Sequence, residues 1–162
     1  MLENTLPELY QSAVDAFPRT TKRQHATDPI EIDGVRYTPF LGMKTLLIRA
    51  NATNEDRQYS PIILLKRVVF ANEGFSFVAH DDEKTYHIRP KDYDVLVRCN
   101  CQDFYQRFNY YNHLETSLHG KVRKEYENFD GTHRANPKEL PGLCKHLMKF
   151  MSELDEAGIN TV

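Results

Sequence analysis

Three cysteines and one histidine form two short motifs, and their placement constrains this chain more than any other feature. The motifs are Cys99-Asn100-Cys101 and Cys144-Lys145-His146, and they contain every cysteine of the 162-residue chain. An odd number of cysteines excludes a framework in which all of them pair in disulfides. Structural zinc sites take four sulfur or nitrogen ligands in a tetrahedron, and three cysteines with one histidine are a common set. The spacing therefore predicts a structural zinc ion bound by Cys99, Cys101, Cys144 and His146, with no open position for catalysis.

The second motif adds a geometric requirement. Residues i and i+2 of a helix point about 200° apart, so Cys144 and His146 converge only if Cys144 precedes the first helical turn. Pro141-Gly142 predicts a helix start near that position. Three thiolates around a divalent cation leave an excess of negative charge, and three basic residues are placed to offset it: Arg98, Arg107 and Lys145.

Other arrangements of these residues stay open on the sequence alone. The cysteines can be buried without a ligand, or Cys99 and Cys101 can form a very tight disulfide. Cys144 and His146 can act as a nucleophile and its base. The fourth ligand can also be another histidine of the chain, His119 or His133.

Length, charge and hydropathy limit the function classes. A chain of 162 residues is long enough for one domain, or one domain with an arm. With 21 Lys and Arg against 23 Asp and Glu, the net charge is -2, so no global basic field favours nucleic acid. The longest aliphatic run, residues 62–65, is too short for a membrane helix, and residues 1–4 lack a signal pattern. We expect synthesis in a reducing cytoplasm and no membrane partner.

Residues 1–28 are predicted to form an amphipathic helix and an extended arm. Apolar residues between positions 6 and 17 recur every three or four residues. Thr5 and Glu8 form a capping-box pattern, and Pro18 ends the helix. Residues 19–28 offer almost nothing to bury, so we expect the helix to dock on something other than its own domain.

Residues 29–98 are predicted to form a β-rich core. Asp33-Gly34 predicts a type I′ hairpin turn, and residues 52–59 read as a polar loop. Six or seven short strands at this spacing indicate an antiparallel sandwich or small barrel. Besides the two arms of the hairpin, the predicted strands are residues 44–50, 62–70, 75–79, 85–88 and 94–98.

Residues 99–162 are predicted to form the zinc-binding part, packed on the same core. One helix follows Cys101, and a second runs through residues 143–154 and ends before Gly158. Between them, residues 113–140 are polar and mix basic with aromatic side chains, a composition that contacts partner proteins or single-stranded nucleic acid. The candidate partner-binding residues are Tyr110, Tyr111, Lys121, Arg123, Lys124, Tyr126, Phe129 and Arg134.

The predicted fold class is therefore α+β. An antiparallel β-sandwich or small barrel carries an N-terminal helix arm and a C-terminal helical part held by zinc.

Two resemblances extend this interpretation. Cys-x-Cys followed by Cys-x-His, at residues 99–101 and 144–146, resembles the SWIM-type zinc finger, which implies a structural zinc site in a module that contacts protein or DNA. A wider set of short motifs is similar to small structural proteins of tailed bacteriophages. These motifs are Arg23-Gln24, Pro39-Phe40, residues 46–49, residues 97–104, Arg107-Phe108, Tyr111-Asn112, Asn136-Pro137 and residues 141–147.

These resemblances imply a non-enzymatic virion protein, made in the host cytoplasm, that contacts head, neck or tail proteins. Further copies of the chain, in a ring or lattice, are a second class of expected partner. The alternative is a SWIM-like zinc module that binds nucleic acid or a protein partner. No Gly-rich phosphate loop or Ser/His/Asp signature predicts catalysis, and the acidic run Asp81-Asp82-Glu83 lies in a turn-like context.

Overall fold

The N-terminal helix begins where its capping box predicts. In the computed structural model, which describes residues 3–18, 26–126 and 135–159, α1 spans Leu6–Ala16. The Thr5 hydroxyl accepts a hydrogen bond from the Glu8 N–H at 3.3 Å and donates one to the Glu8 carboxylate at 3.1 Å. Leu6 and Leu9 lie in the same core as the central sheet. The expectation that this helix docks elsewhere is therefore wrong, because its apolar face is already covered. Residues 19–25 of the predicted arm lie outside the described residues.

Two antiparallel sheets form the centre of the fold, which confirms the predicted α+β class. The larger sheet contains β1 (Ile30–Phe40), β2 (Thr45–Asn54), β3 (Arg57–Tyr59), β4 (Ile62–Leu65) and β8 (Val95–Arg98). The smaller sheet contains β5 (Phe70–Ala71), β6 (Phe75–Val78) and β7 (Thr85–Ile88). The strand order is β1-β2-β4-β8 in the larger sheet, with β3 paired to β2, and β5-β7-β6 in the smaller.

Asp33-Gly34 forms a bulge rather than the predicted hairpin turn. Asp33 pairs with Asn51 and Arg36 with Arg49, so β1 has one residue more than β2 between these two pairs. Gly34 has φ +60°, a left-handed conformation that serves a bulge as well as a type I′ turn. Asp33-Gly34 therefore indicates a left-handed backbone correctly, but the chain reverses direction later, at the 3₁₀ turn Leu41–Met43.

Two further boundaries differ from the prediction. Residues 52–59 are a β2–β3 hairpin and not a loop, with Glu55 at φ +60° in its turn. A strand of this kind is difficult to distinguish from a loop by sequence, because one face of the hairpin is solvated and its side chains are polar. The predicted strand 62–70 splits into β4 and β5, because Arg67 lies at φ +52°, outside the β region.

The C-terminal part is helical on both sides of an irregular segment. It contains α2 (Gln102–Phe104), a π-helical turn (Tyr105–Asn109), α3 (Tyr110–Leu114) and α4 (Lys145–Ala157). Phe104 and Phe108 are fully buried, whereas Leu114 is 56% exposed. The π-helical turn rotates the residues that follow it, so the predicted apolar face does not extend to Leu114. Gly158, at φ +92°, ends α4 as predicted.

One hydrophobic core joins the two terminal helices to both sheets. Leu9 of α1, Ile48 of β2, Phe108 of the π-helical turn and Leu147 of α4 belong to one buried cluster. Within the described ranges, no helix has the length and apolar character needed to cross a membrane.

Candidate metal centre

The first cysteine pair lies where the chain leaves the larger sheet. Cys99 follows β8 directly, and Cys101 precedes α2 with an extended backbone, at φ -76° and ψ 156°. The Cys101 sulfur accepts a hydrogen bond from the Phe104 N–H at 3.3 Å. Each of the two cysteines is only 4% exposed. The end of a strand and the start of a helix therefore turn both sulfurs inward.

The second pair lies at the start of α4. Cys144 has extended backbone angles, φ -72° and ψ 169°, and the helix begins at Lys145. This confirms the predicted position of Cys144 before the first helical turn. His146 Nδ1 then lies 4.0 Å from the sulfur of Cys144 and 4.0 Å from that of Cys99. Cys144 is fully buried and His146 is 2% exposed.

The four side chains form one compact group. Their ligand atoms all lie within 4.8 Å of one another, so the group can hold a metal ion. Tetrahedral zinc places a sulfur and a nitrogen ligand about 3.6 Å apart and two sulfurs about 3.8 Å apart. The observed sulfur–nitrogen distances of 4.0 Å are close to that geometry. His119 is outside the group, and His133 lies outside the described residues.

The three cysteines of the group shift one another's pKa values. Hydrogen bonding to Cys101 raises the pKa of Cys99 well above its usual value, and burial does the same to the pKa of Cys144. Hydrogen bonds from Cys144 and Cys99 lower the pKa of Cys101. Without a metal ion, these shifts favour the thiolate at Cys101 and the neutral thiol at Cys99 and Cys144. A bound cation would favour the thiolate at all three, because an opposite charge offsets the cost of burying them.

Buried amides hold the chain segments around the group. Asn112 is fully buried, and its side chain donates to the Gly142 carbonyl at 2.8 Å and accepts from the Gly142 N–H at 3.1 Å. Asn136 donates to the carbonyls of Arg107 and Leu140, at 2.9 and 2.7 Å. Sequence reasoning did not assign this role, although an asparagine within an apolar helical pattern is a usable signal. These amides fix the segment that precedes Cys144.

Tyr59 is a further neighbour that the sequence did not indicate. Its ring lies 4.4 Å from that of His146, measured between centroids. Both rings line a cleft of about 420 Å³ beside the group. His146 Nε2 is buried and has no hydrogen-bond partner within the described part of the chain.

The basic residues expected to offset the charge have other contacts as well. Arg107 is 3% exposed, forms an ion pair with Asp103 and lies over the rings of Phe17 and Phe108. Arg98 donates to the carbonyls of residues 119 and 121. Lys145 lines the cleft beside the metal-binding group.

The predicted partner-binding residues separate into buried and accessible ones. Tyr111 is 6% exposed and its hydroxyl donates to Glu125 at 2.5 Å, so it is part of the interior. Lys121, Arg123 and Lys124 are exposed, with the Arg123 guanidinium 3.7 Å from the centre of the Tyr105 ring. Tyr110 and Tyr126 are half-buried, and Phe129 and Arg134 lie outside the described residues.

Comparison of the chain with protein-family models, with curated proteins and with solved structures finds no match in any of the three.

Proposed function

We propose that this chain is a non-enzymatic structural protein whose fold depends on one structural zinc ion and whose role is to bind other proteins. The observation that carries the proposal is the convergence of four buried donor groups, Cys99, Cys101, Cys144 and His146. Thiolates and imidazole suit zinc better than magnesium or calcium, which take oxygen ligands. Four protein ligands complete the tetrahedron and leave no position for a substrate.

A bound zinc ion would act by stabilising the folded chain. Structural zinc sites contribute about 10–16 kcal/mol of apparent binding free energy in zinc-finger peptides, whereas a whole domain is stable by about 5–15 kcal/mol. The ion would join the end of β8 to the start of α4. It would also close the excursion formed by residues 102–143.

The zinc site is tested by metal analysis of matched histidine variants. We expect one zinc ion per purified wild-type chain and per His119→Gln chain, because His119 lies outside the group. His146→Gln removes a ligand and should lower zinc affinity at least tenfold, and Cys144→Ser should abolish retention and unfold α4. Wild-type protein that is folded without zinc, or zinc loss in His119→Gln, would contradict the site.

The setting we propose is the virion of a tailed bacteriophage. Its support is the resemblance of the short motifs at residues 97–104 and 141–147 to those of small structural proteins of tailed bacteriophages, and these motifs include all four ligands of the proposed site. The chain should then be found at a fixed copy number in purified particles, by quantitative mass spectrometry. Absence from intact particles would reject the virion role and leave the metal site unaffected.

Nucleic-acid binding is a second candidate function, favoured by one surface feature. Arg123 and Lys124 line a cleft of about 420 Å³ together with Tyr110. Basic and aromatic side chains of this kind hold single-stranded nucleic acid by phosphate contact and stacking. Binding of a single-stranded oligonucleotide at 150 mM salt, with a steep salt dependence and loss in Arg123→Gln/Lys124→Gln, would favour this function over protein binding.

A further inference from the structure

The larger sheet has one face toward the core and one away from it. Along β2, β4 and β8, buried and half-buried residues alternate. Ile48, Ile63 and Val97 belong to the core cluster, as do the apolar residues of α1 and α4. The residues between them point to the opposite side, which we call the outer face. Leu9 of α1 and Leu147 of α4 belong to the same core, whereas the alternating residues on the outer face are half-buried.

Two rows of side chains cross this outer face. Thr38, Leu47, Leu64 and Leu96 are paired in register across β1, β2, β4 and β8, and we call the three leucines of this row the aliphatic row. The second row is displaced from the first by two residues on each strand and contains Arg36, Arg49, Ile62 and Arg98. All eight residues are half-buried, and none of them is acidic.

Two arginines of the second row lie directly opposite each other without a counter-charge. Arg36 and Arg49 are cross-strand partners. Within the described ranges neither forms an ion pair, and the Nε atom of each is buried without a hydrogen-bond partner. Glu83 lines a shallow cleft with Arg36 but is not paired with it. Like charges directly opposite in a sheet are destabilising, and among the described residues no ion pair of Arg36 or Arg49 offsets this cost.

We propose that the outer face binds an amphipathic helix of a partner protein, whose leucine-like stripe covers the aliphatic row and whose two carboxylates pair with Arg36 and Arg49. This inference deepens the proposed protein-binding role by naming the chemistry of the partner. It is independent of the metal, because none of the four ligands lies on the outer face.

Spacing supports a helical partner. Neighbouring strands lie about 4.8 Å apart, and side chains at i and i+4 of a helix are about 5–6 Å apart. Two Asp or Glu residues one helical turn apart therefore match two arginines on adjacent strands. Planar guanidinium groups bind carboxylates in bidentate fashion, which makes such a pair of contacts specific as well as strong.

The neighbouring side chains favour protein over nucleic acid on this face. Leu47, Leu64, Leu96 and Ile62 are aliphatic, and single-stranded nucleic acid is held mainly by stacking on aromatic rings. A row of branched aliphatic side chains instead fits the apolar stripe of a helix.

The test uses the full zinc-loaded chain and three synthetic helical peptides that differ at two positions. Each peptide carries a leucine stripe beside Glu, Gln or Lys at i and i+4. In ¹⁵N NMR titrations, the Glu peptide should perturb the amides of β1, β2, β4 and β8. It should bind at least tenfold more tightly than the Gln or Lys peptide.

The variant Arg36→Gln/Arg49→Gln separates binding from stability. It should lose at least tenfold in affinity for the Glu peptide, while its urea midpoint stays equal to or rises above that of wild type. Arg89→Gln, an exposed arginine outside the two rows, is the control and should bind as wild type does. A lower midpoint in the double variant would assign the two arginines a structural role and overturn the proposal.

Other outcomes overturn it in other ways. Equal binding of the Lys peptide, or amide perturbations confined to other elements, would exclude the acidic helix as the ligand. Oligonucleotide binding that requires Arg36 and Arg49 would assign the face to nucleic acid. Self-association lost in the double variant would assign it to a second copy of the chain. Zinc content is measured in every sample, so failure of the metal site is distinguished from failure of this surface.

Discussion

Gly142 lies in close packing between the N-terminal helix and the residues that precede the metal-binding group, which is Cys99, Cys101, Cys144 and His146. A Cβ atom on Gly142 would lie 2.6 Å from the ring of Phe108 and 2.9 Å from the Cβ of Ala13. Both neighbours are fully buried, so neither side chain can move toward solvent. Glycine is required here by close approach, and the same residue also exchanges two hydrogen bonds with Asn112.

Gly142→Ala should therefore destabilise the protein by about 1–3 kcal/mol, the usual cost of overpacking a core. The measurement is urea unfolding followed by circular dichroism. Gly42→Ala is the matched control, because nothing lies within 4 Å of a Cβ at that position. The control should be neutral or stabilising by up to about 1 kcal/mol, since alanine reduces the entropy of the unfolded chain. Equal stability of the two variants would refute the packing argument.

At the scale of elements, an ion-pair network attaches the segment before α1 to the larger sheet. Glu3 contacts Lys66 and Arg67, which follow β4, and Arg67 also pairs with Asp94. The backbone supports the same attachment, because the Val95 N–H donates to the Asn4 carbonyl at 2.9 Å. The hydrogen bonds from Arg67 and Lys66 lower the pKa of Glu3 from 4.5 to about 2.

This shift predicts a defined pH dependence. A carboxyl whose pKa is lower in the folded state stabilises the fold fully above its unfolded pKa, and the contribution is lost as pH falls through the folded pKa. The stability difference between wild type and Glu3→Gln should therefore shrink as pH falls from about 5 to about 2. Urea midpoints across this range measure it, and added salt should reduce it because the group is exposed. A difference that stays constant with pH would exclude the ion pairs as its cause.

At the scale of the whole molecule, the metal-binding group is part of the core and not an appended module. Cys99, Cys101 and Cys144 belong to the same buried cluster as Leu9 of α1 and Ile48 of β2. A bound zinc ion would therefore stabilise the sheet and both terminal helices together, since loss of α4 uncovers the core face of the sheet.

Metal release and unfolding should consequently coincide. In guanidinium titrations of the zinc-loaded chain, the far-ultraviolet circular dichroism and the release of zinc to a chromogenic chelator should have the same midpoint, as two-state behaviour requires. Chelation without denaturant should lower hydrogen-exchange protection in β2 as well as in α4. Zinc release well before loss of the sheet signal would show two independent units instead.

The sequence indicated the ligand set because the chemistry of zinc limits the choice. The chain has three cysteines, Cys99, Cys101 and Cys144, and few disulfide or metal-binding arrangements use all three. Pro141-Gly142 also places Cys144 before the helix. The helices were also predictable, since capping residues and apolar spacing are local signals. The grouping of the four side chains in one buried place agrees with that prediction.

Pairing between distant segments was decided by the tertiary structure. Asp33-Gly34 has the same backbone preference in a turn and in a bulge, and only its register against Asn51 and Arg49 distinguishes the two. The outer face arises in the same way, because Arg36 and Arg49 become neighbours only when β1 pairs with β2. Local conformation depends on residues near in sequence and ligand chemistry on residue type, whereas register and the exposure of a sheet face depend on contacts between residues far apart in sequence.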